Sequence, residues 1–315
     1  MPKAYVFTRF GGPETEAFAD VDRPRPGPGQ LLVAVRAAGV NPVDWKQRTG
    51  YARAGGSARE LPAVFGNEVA GIVEEVGEGV TGFAVGDAVF GNPAAGGYAE
   101  YALLPVTVAA PKPAGLSFTD AAALPVAAAT AYDGLHQLAL PEGATLLVTG
   151  AGGGVGSAIL QIARARGLRV VGAAGDGKKD FVESLGAVHV PSGPDLAARV
   201  RATAPEGMDG VYDLVGGEVL AEAATLLTDR TKLITAGAPA DVAERLGGAR
   251  VARARNAAVL EAVADLVVRG DLNPHVTRTF PLDRADEALR TVEEGHARGK
   301  TVIVVEAAAD TGAGA

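Results

Sequence analysis

Leu146, Leu147 and Val148 form an unbroken apolar run, the mark of a parallel strand covered on both faces. Gly150, Gly152, Gly153, Gly154 and Gly156 crowd the next few positions. Beyond them Val155, Ile159 and Ile162 recur at helical spacing, and Gly167 supplies the stop. Val170 and Val171 open a second apolar run, so residues 145–174 read as strand, glycine turn, helix, strand. The alternation continues with a helix over 178–185 ended by Gly186, a strand over 187–190, and a helix over 195–202 capped by Asp195. A strand over 211–215, a helix over 219–227 and a strand over 233–235 follow. Val259, Leu260, Val263, Leu266 and Val267 mark one face of a long helix stopped by Gly270. Residues 281–292 give a further helix with Asp283 as its cap, and 301–305 a final strand. Strands alternating with helices predict an α/β fold, a parallel sheet doubly wound with helices on both faces.

The first third of the chain has a different texture. Residues 5–7, 31–35, 69–76 and 87–90 read as strands, with Gly77, Gly79, Gly82 and Gly86 as punctuation and a proline-rich loop over 21–30. Residues 116–131 are alanine-rich with few charges, which predicts closely packed helices and a domain boundary. The division expected is a β-rich domain of residues 1–115 and 275–315 and a Rossmann domain of residues 116–274. Residues 41–50 open on an Asn-Pro turn signal and, with Tyr51, present Asn41, Asp44 and Trp45 within a short span. They either line a pocket or form a capped surface helix with a buried Trp45. The tail from Ala307 is low-complexity and expected to be disordered.

The glycines have a chemical reason. A pyrophosphate sits on a helix N-terminus only where backbone N–H groups can approach it, so side chains at the turn must be nearly absent. The register that fits is Ala151, Gly153 and Gly156, with alanine in the first glycine place. NAD-selective sites carry an acidic residue at the end of the second strand to hold the ribose 2′-hydroxyl. Here that place is Ala174, followed by Gly175, Asp176, Gly177, Lys178 and Lys179, which leaves room for a 2′-phosphate and two cations. NADPH is therefore the expected cofactor. Asp176 is a contrary sign, and the lysine pair reads alternatively as a solvated first helical turn.

Composition narrows the classes further. The chain of 315 residues can hold two cores, and a net charge of −8 disfavours nucleic acid as a partner. The absence of cysteine excludes disulfides, thiolate catalysis and every cysteine-containing zinc site. The four histidines, at 136, 189, 275 and 296, are scattered and read as satisfied or surface residues, so no metal site is expected. No apolar run approaches a membrane span and residues 1–10 lack a signal-peptide core, so a cytoplasmic location is the expectation.

The order of a β-rich domain, the GAGGGVG turn, DLVGGEVL near Asp213, PLDRADEAL near Leu282 and EGHARGK near Lys300 resembles the medium-chain dehydrogenase/reductase superfamily. More narrowly it is similar to the zinc-free, zeta-crystallin-like quinone oxidoreductases, and the resemblance runs from Phe10 through Lys300. It implies a GroES-like catalytic domain beside the Rossmann domain, with hydride passing from NADPH to a quinone or an α,β-unsaturated carbonyl, and a homodimer. Zinc-dependent members carry a Cys where Asn41 stands and a Gly-His-Glu where Gly66-Asn67-Glu68 stand, so strong metal ligands are missing.

Carried over by position, Asn41 and Asp44 would lie near the nicotinamide and substrate, and Tyr51 would donate to the acceptor oxygen. Thr130 would contact the nicotinamide end, and Gly150 to Gly156, centred on Gly153, Gly154 and Val155, the pyrophosphate. Gly175 with Lys178 or Lys179 would take the 2′-phosphate, and Ala236, Gly237 and Ala238 the far side of the nicotinamide. Lys300 would close over the cofactor, or else is a turn lysine before the last strand. The tyrosine that often clasps the cofactor in the family is replaced by Val190-Pro191-Ser192. Residues 240–255 carry four arginines and read as an edge strand pairing with a second subunit or as a charged surface. Two rival functions remain: an enoyl-thioester reductase with a cationic rim of Arg48, Arg53 and Arg59, and a non-catalytic NADPH-binding protein.

Overall fold

The structure, a computed structural model, describes residues 1–51, 59–295 and 297–306; Arg53, His296 and the tail from Ala307 lie outside the described residues. The chain divides into two compact units. One comprises Met1–Val126, Arg255–Ala264 and Val276–Ala315, the other Ala127–Ala254 and Asp265–His275.

The second unit is built on a wholly parallel six-stranded sheet. Its strands in spatial order are Val188–Pro191, Arg169–Ala174, Thr145–Thr149, Gly210–Asp213, Leu233–Thr235 and Ala249–Arg250. In chain order that is 3-2-1-4-5-6, the doubly wound arrangement, with its switch of direction between Thr145–Thr149 and Gly210–Asp213. Leu147, Val171, Val190, Leu196, Val211, Leu220 and Leu233 form a buried cluster of this unit, as expected where both faces are covered. The helix Gly154–Ala165 ends at Gly167, which adopts a φ of +74° while Leu168 N–H reaches back to Ala163 O at 3.0 Å.

Two expected caps are not caps. Asp195 precedes Leu196–Thr203 but sits in the left-handed region at φ 60° and its side chain makes no capping bond. Asp283 lies inside a short 3₁₀ turn, Leu282–Arg284, that leads into the helix Ala285–Glu293. In both places an acidic residue beside a helical pattern was the signal, and the local turn settled where the helix begins.

The first unit holds a seven-stranded sheet in the order Val276–Pro281, Lys300–Val304, Gln30–Val40, Val69–Val76, Ala88–Gly91, Ala109–Pro111, with Tyr101–Pro105 also on Gln30–Val40. A smaller sheet joins Glu16–Asp20, Lys3–Phe7 and Ala63–Val64. Glu16–Asp20, Ala63–Val64, Tyr101–Pro105 and Ala109–Pro111 were not foreseen, because short strands with few β-branched residues carry little pattern. Gln30–Val40 outruns the expected strand because three neighbours share its edges: Val69–Val76, Tyr101–Pro105 and Lys300–Val304 take its length in turn, and its small residues Ala37, Ala38 and Gly39 let them close in. Ser117 caps Phe118–Ala122, its hydroxyl accepting Asp120 N–H at 3.0 Å, ahead of a π-helical stretch, Leu124–Ala128. Among the described residues no helix is long and apolar enough to cross a membrane.

Candidate functional site

In the second unit the chain leaves Thr145–Thr149 through Gly150, whose φ of +68° suits glycine. Gly150 O accepts Gly153 N–H at 3.2 Å, and the helix starts at Gly154. The N–H groups of Gly154, Val155 and Gly156 belong to its first turn, where no helical carbonyl precedes them. A Cβ on Gly156 would stand 2.6 Å from Ala151 O, so glycine is needed for the helix to pack on the turn. A Cβ on Gly153 would meet nothing nearer than Gly150 O at 3.6 Å, so the space ahead of it is open. Ala151 is fully buried, its N–H bonded to Ala173 O at 3.0 Å. Backbone donors, the positive end of a helix dipole and an absence of side chains suit a phosphate.

Ala174 ends the neighbouring strand, and its carbonyl accepts Ser192 N–H at 2.9 Å and lies 3.0 Å from His189 Nε2. From sequence His189 reads only as a satisfied or surface histidine; nothing in its neighbours along the chain says that it reaches this strand end. Gly175, Asp176 and Lys179 are exposed. Lys178 is half-buried, with its stem over Gly152, where a Cβ would meet Lys178 Cδ at 2.5 Å. Burial pushes its ammonium below the usual lysine range.

The carboxyl ends of the central strands are tied by one buried acid. Asp213 accepts Thr149 Oγ1–H and Thr235 Oγ1–H, each at 2.6 Å, together with Gly216 N–H at 3.0 Å. Thr235 Oγ1 in turn accepts Gly237 N–H at 2.9 Å and Ala238 N–H at 3.1 Å, and Ala236 N–H reaches Asp213 O at 2.8 Å. Three strands and the loop Ala236 to Ala238 are thereby fixed in one network. Thr130 is buried on the helix Ala129–Leu138, its carbonyl accepting Tyr212 Oη–H at 2.6 Å. Burial pushes the Tyr212 phenol well up.

In the first unit strand register assembles a second cluster. Thr301 lies opposite Val40 and Val69 opposite Ala38, so Lys300, Asn41 and Glu68 meet where three strands end. Lys300 Nζ donates to Asn41 Oδ1 at 2.7 Å, Glu68 Oε1 at 2.7 Å and Val40 O at 3.1 Å, which uses all three of its N–H bonds. Glu68 also accepts Asn41 Nδ2–H at 2.7 Å and Val126 N–H at 2.7 Å. All three side chains are buried, so Lys300 is spent inside the unit rather than held out toward a ligand. Gly39 makes this possible: a Cβ there would collide with Glu68 Oε1 and stand 2.5 Å from Ala122 O.

Asp44 is fully buried one helical turn on, in Pro42–Arg48. It accepts Asn41 N–H at 2.8 Å and Tyr98 Oη–H at 2.7 Å, and Asn67 Nδ2–H as well. Burial pushes its carboxyl up, against the pull of these donors. Trp45 is half-buried against the core. Tyr51 is the one expected catalytic side chain that is exposed, at 38%. Arg48 is buried between Glu16 and Glu293, and Arg59 donates to Val64 O at 2.9 Å, which corrects the expectation of a cationic rim for these two.

A zinc ion does not fit this donor set. Its ligands would be Asn41, Asn67 and Glu68, and a lysine ammonium already takes the oxygens of two of them. A second cation on those oxygens would be repelled by the ammonium already bonded to them.

Residues 27–114 match the alcohol dehydrogenase GroES-like domain and residues 185–303 the family described as zinc-binding dehydrogenase. The chain is 32% identical to human quinone oxidoreductase over 332 residues, covering 97% of this chain and 98% of that one. It is 31% identical to the NADPH-dependent alkenal/one oxidoreductase of Arabidopsis thaliana, covering 96% and 79%. The solved quinone oxidoreductase of Coxiella burnetii superposes with a TM-score of 0.88 at 30% identity, covering 97% and 99%. With the strand order, the glycine turn and the β-rich unit already in hand, these likenesses make the chain an oxidoreductase, and it belongs to the medium-chain dehydrogenase/reductase superfamily, alongside its quinone oxidoreductases.

Proposed function

We propose that the protein is a zinc-independent, NADPH-dependent reductase of quinones or α,β-unsaturated carbonyls. The observation that carries this reading is Lys300, buried and fully bonded to Asn41 and Glu68 where the zinc-dependent relatives would offer metal ligands. Without a Lewis acid to polarise an alcohol or simple carbonyl, the acceptor itself must spread the incoming negative charge. Quinones and enones do so by conjugation. NADPH, when bound, supplies two electrons and a hydrogen as hydride from C4 of its nicotinamide.

This chain's residues bind and orient. The first-turn N–H groups of Gly154, Val155 and Gly156 would hold the pyrophosphate, and Lys178 and Lys179 beside Gly175 the 2′-phosphate. Thr130 and the loop Ala236 to Ala238 would flank the nicotinamide. Asn41, Asp44 and Lys300, all internally bonded, act as positioning residues, and Tyr51, whose side chain is exposed, would donate a hydrogen bond to the acceptor oxygen. A proton from water or from that hydroxyl completes the reduction, to hydroquinone or saturated carbonyl. Placement of this kind removes several kcal/mol of barrier, up to about 7–11 in well-aligned systems.

The test follows NADPH absorbance with benzoquinone, a 2-enal, a 2-enone and an enoyl thioester, before and after dialysis against a chelator. Turnover of quinone or enone that survives dialysis is the expected result. Loss of activity restored by added zinc would overturn it, and NADPH binding without any oxidation would favour the non-catalytic reading. The burial of Arg48 and the internal bonding of Arg59 weigh against the thioester reading, which needs surface cations for a carrier phosphate.

A further inference from the structure

We propose that the arginine-rich segment is a brace for the nicotinamide end of the cofactor site, with Arg250 and Arg253 as positioning residues. The inference rests on the reading above, in which Thr130 and Ala236 to Ala238 flank the nicotinamide.

The strand Ala249–Arg250 closes the edge of the parallel sheet, with Arg250 opposite Thr235. From there the guanidinium of Arg250 donates to Ala238 O at 2.8 Å. Three residues on, Arg253 donates through Nη1 to Thr130 Oγ1 at 2.6 Å and through Nε to Asp133 Oδ2 at 3.0 Å. Asp133 Oδ2 also accepts Ala254 N–H at 3.0 Å. Gln137 completes the seam, donating to Arg250 O at 3.1 Å and accepting Ala252 N–H at 2.9 Å. Thr130, Asp133 and Gln137 are spaced by three and four residues, so they share one face of the helix Ala129–Leu138. The extended segment is thus laced along that face. Through its two arginines it also grips a hydroxyl and a carbonyl on the two pieces of backbone assigned to the nicotinamide.

The chemistry says more than attachment. Arg253 and Asp133 keep 16% and 6% of their side-chain surface exposed, and burying such a pair gains little over an apolar contact. What a guanidinium adds is direction: it has donors only, in a rigid fork. Thr130 Oγ1 must therefore accept from Arg253, which sets how that hydroxyl is turned, and Ala238 O is held in one position by Arg250. A hydride donor and acceptor react only when aligned, and a displacement of about 1 Å costs on the order of 100-fold in rate.

The test uses R253K and R250Q in the full chain, with R245A as a control. Arg245 lies in the same segment but pairs with Asp241, and both are exposed. Three quantities are measured: turnover at saturating NADPH, the NADPH dissociation constant, and the fluorescence anisotropy of the bound nicotinamide. The proposal expects turnover to fall about 10- to 100-fold in R253K and R250Q while the dissociation constant, set by the phosphates, moves less than about threefold. Nicotinamide anisotropy should fall in both variants and stay unchanged in R245A. If both variants keep wild-type turnover and anisotropy and lose only melting temperature, the segment is a structural strut and the inference is overturned. If the wild-type protein binds no NADPH, the cofactor reading fails and takes the brace with it. That outcome is visible before any variant is made.

Discussion

Lys300 shows how much one side chain can be asked to do. Replacing it with Met leaves the Glu68 carboxylate buried without its counter-charge, which should cost about 3–5 kcal/mol in urea unfolding. The double variant K300M/E68Q removes both charges and should be more stable than K300M alone; equal or lower stability would mean that the pair is not the dominant interaction. Gly39→Ala attacks the same cluster sterically, since the new methyl would meet both Glu68 and Ala122 O, and a loss of about 3 kcal/mol is expected by the same measurement. Asp44 adds a pH dependence. Its carboxyl is raised in the folded state, so the stability it contributes is complete below the ordinary carboxylate value of about 3.9 and is lost as pH rises through the folded value. Asp44→Asn does not titrate, so the stability of wild type relative to the variant should fall as pH rises above about 4, the ordinary carboxylate value. A flat difference would show that the three donors offset the burial. None of these three assignments was legible from spacing alone: Asn41 and Glu68 carried a family position, but Lys300, which bonds both and offsets the Glu68 charge, lies more than 200 residues away in the chain.

At the scale of elements, the parallel sheet works because its strand ends are held in step. Asp213 joins Thr149 on one neighbouring strand and Thr235 on the other, and orders the loop that leads to Ala238. Asp213→Ala orphans two buried hydroxyls and several N–H groups, and should cost about 2–3 kcal/mol. Amide exchange should quicken at residues 214–216 and 236–238 but not in the helix Gly154–Ala165; uniform quickening would mark a global effect. These strands were readable as elements because each is a continuous apolar run. Their carboxyl-end polar residues were not, since Thr149, Asp213 and Thr235 become a network only when adjacent strands align them. The arginine-rich segment is a similar case. It reads from sequence as an edge strand pairing with a second subunit or as a charged surface; the strand Ala249–Arg250 pairs with Leu233–Thr235 of its own sheet, and the bonds to Thr130 and Ala238 exist only through that sheet order.

At the scale of the whole molecule, a ligand that binds only the folded chain raises its stability by mass action. NADPH at about 100 times its dissociation constant should add about 2.7 kcal/mol, or roughly 4 °C in melting temperature for a chain of this length. NADH at the same concentration should give a smaller shift, and Lys178→Ala with Lys179→Ala should erase the difference. Equal shifts in the wild-type protein would count against the 2′-phosphate site. The sequence by itself determined the alternation of strands and helices, the glycine turn and the substitution of Asn41 and Asn67 for metal-ligating residue types, because periodicity, backbone freedom and ligand chemistry are local properties. Tertiary structure alone decided that Lys300 and Asp44 are buried, that Arg48 is no surface cation, and that two arginines reach the proposed nicotinamide end. Burial and pairing depend on which distant segments register against each other, and no short stretch of chain carries that information.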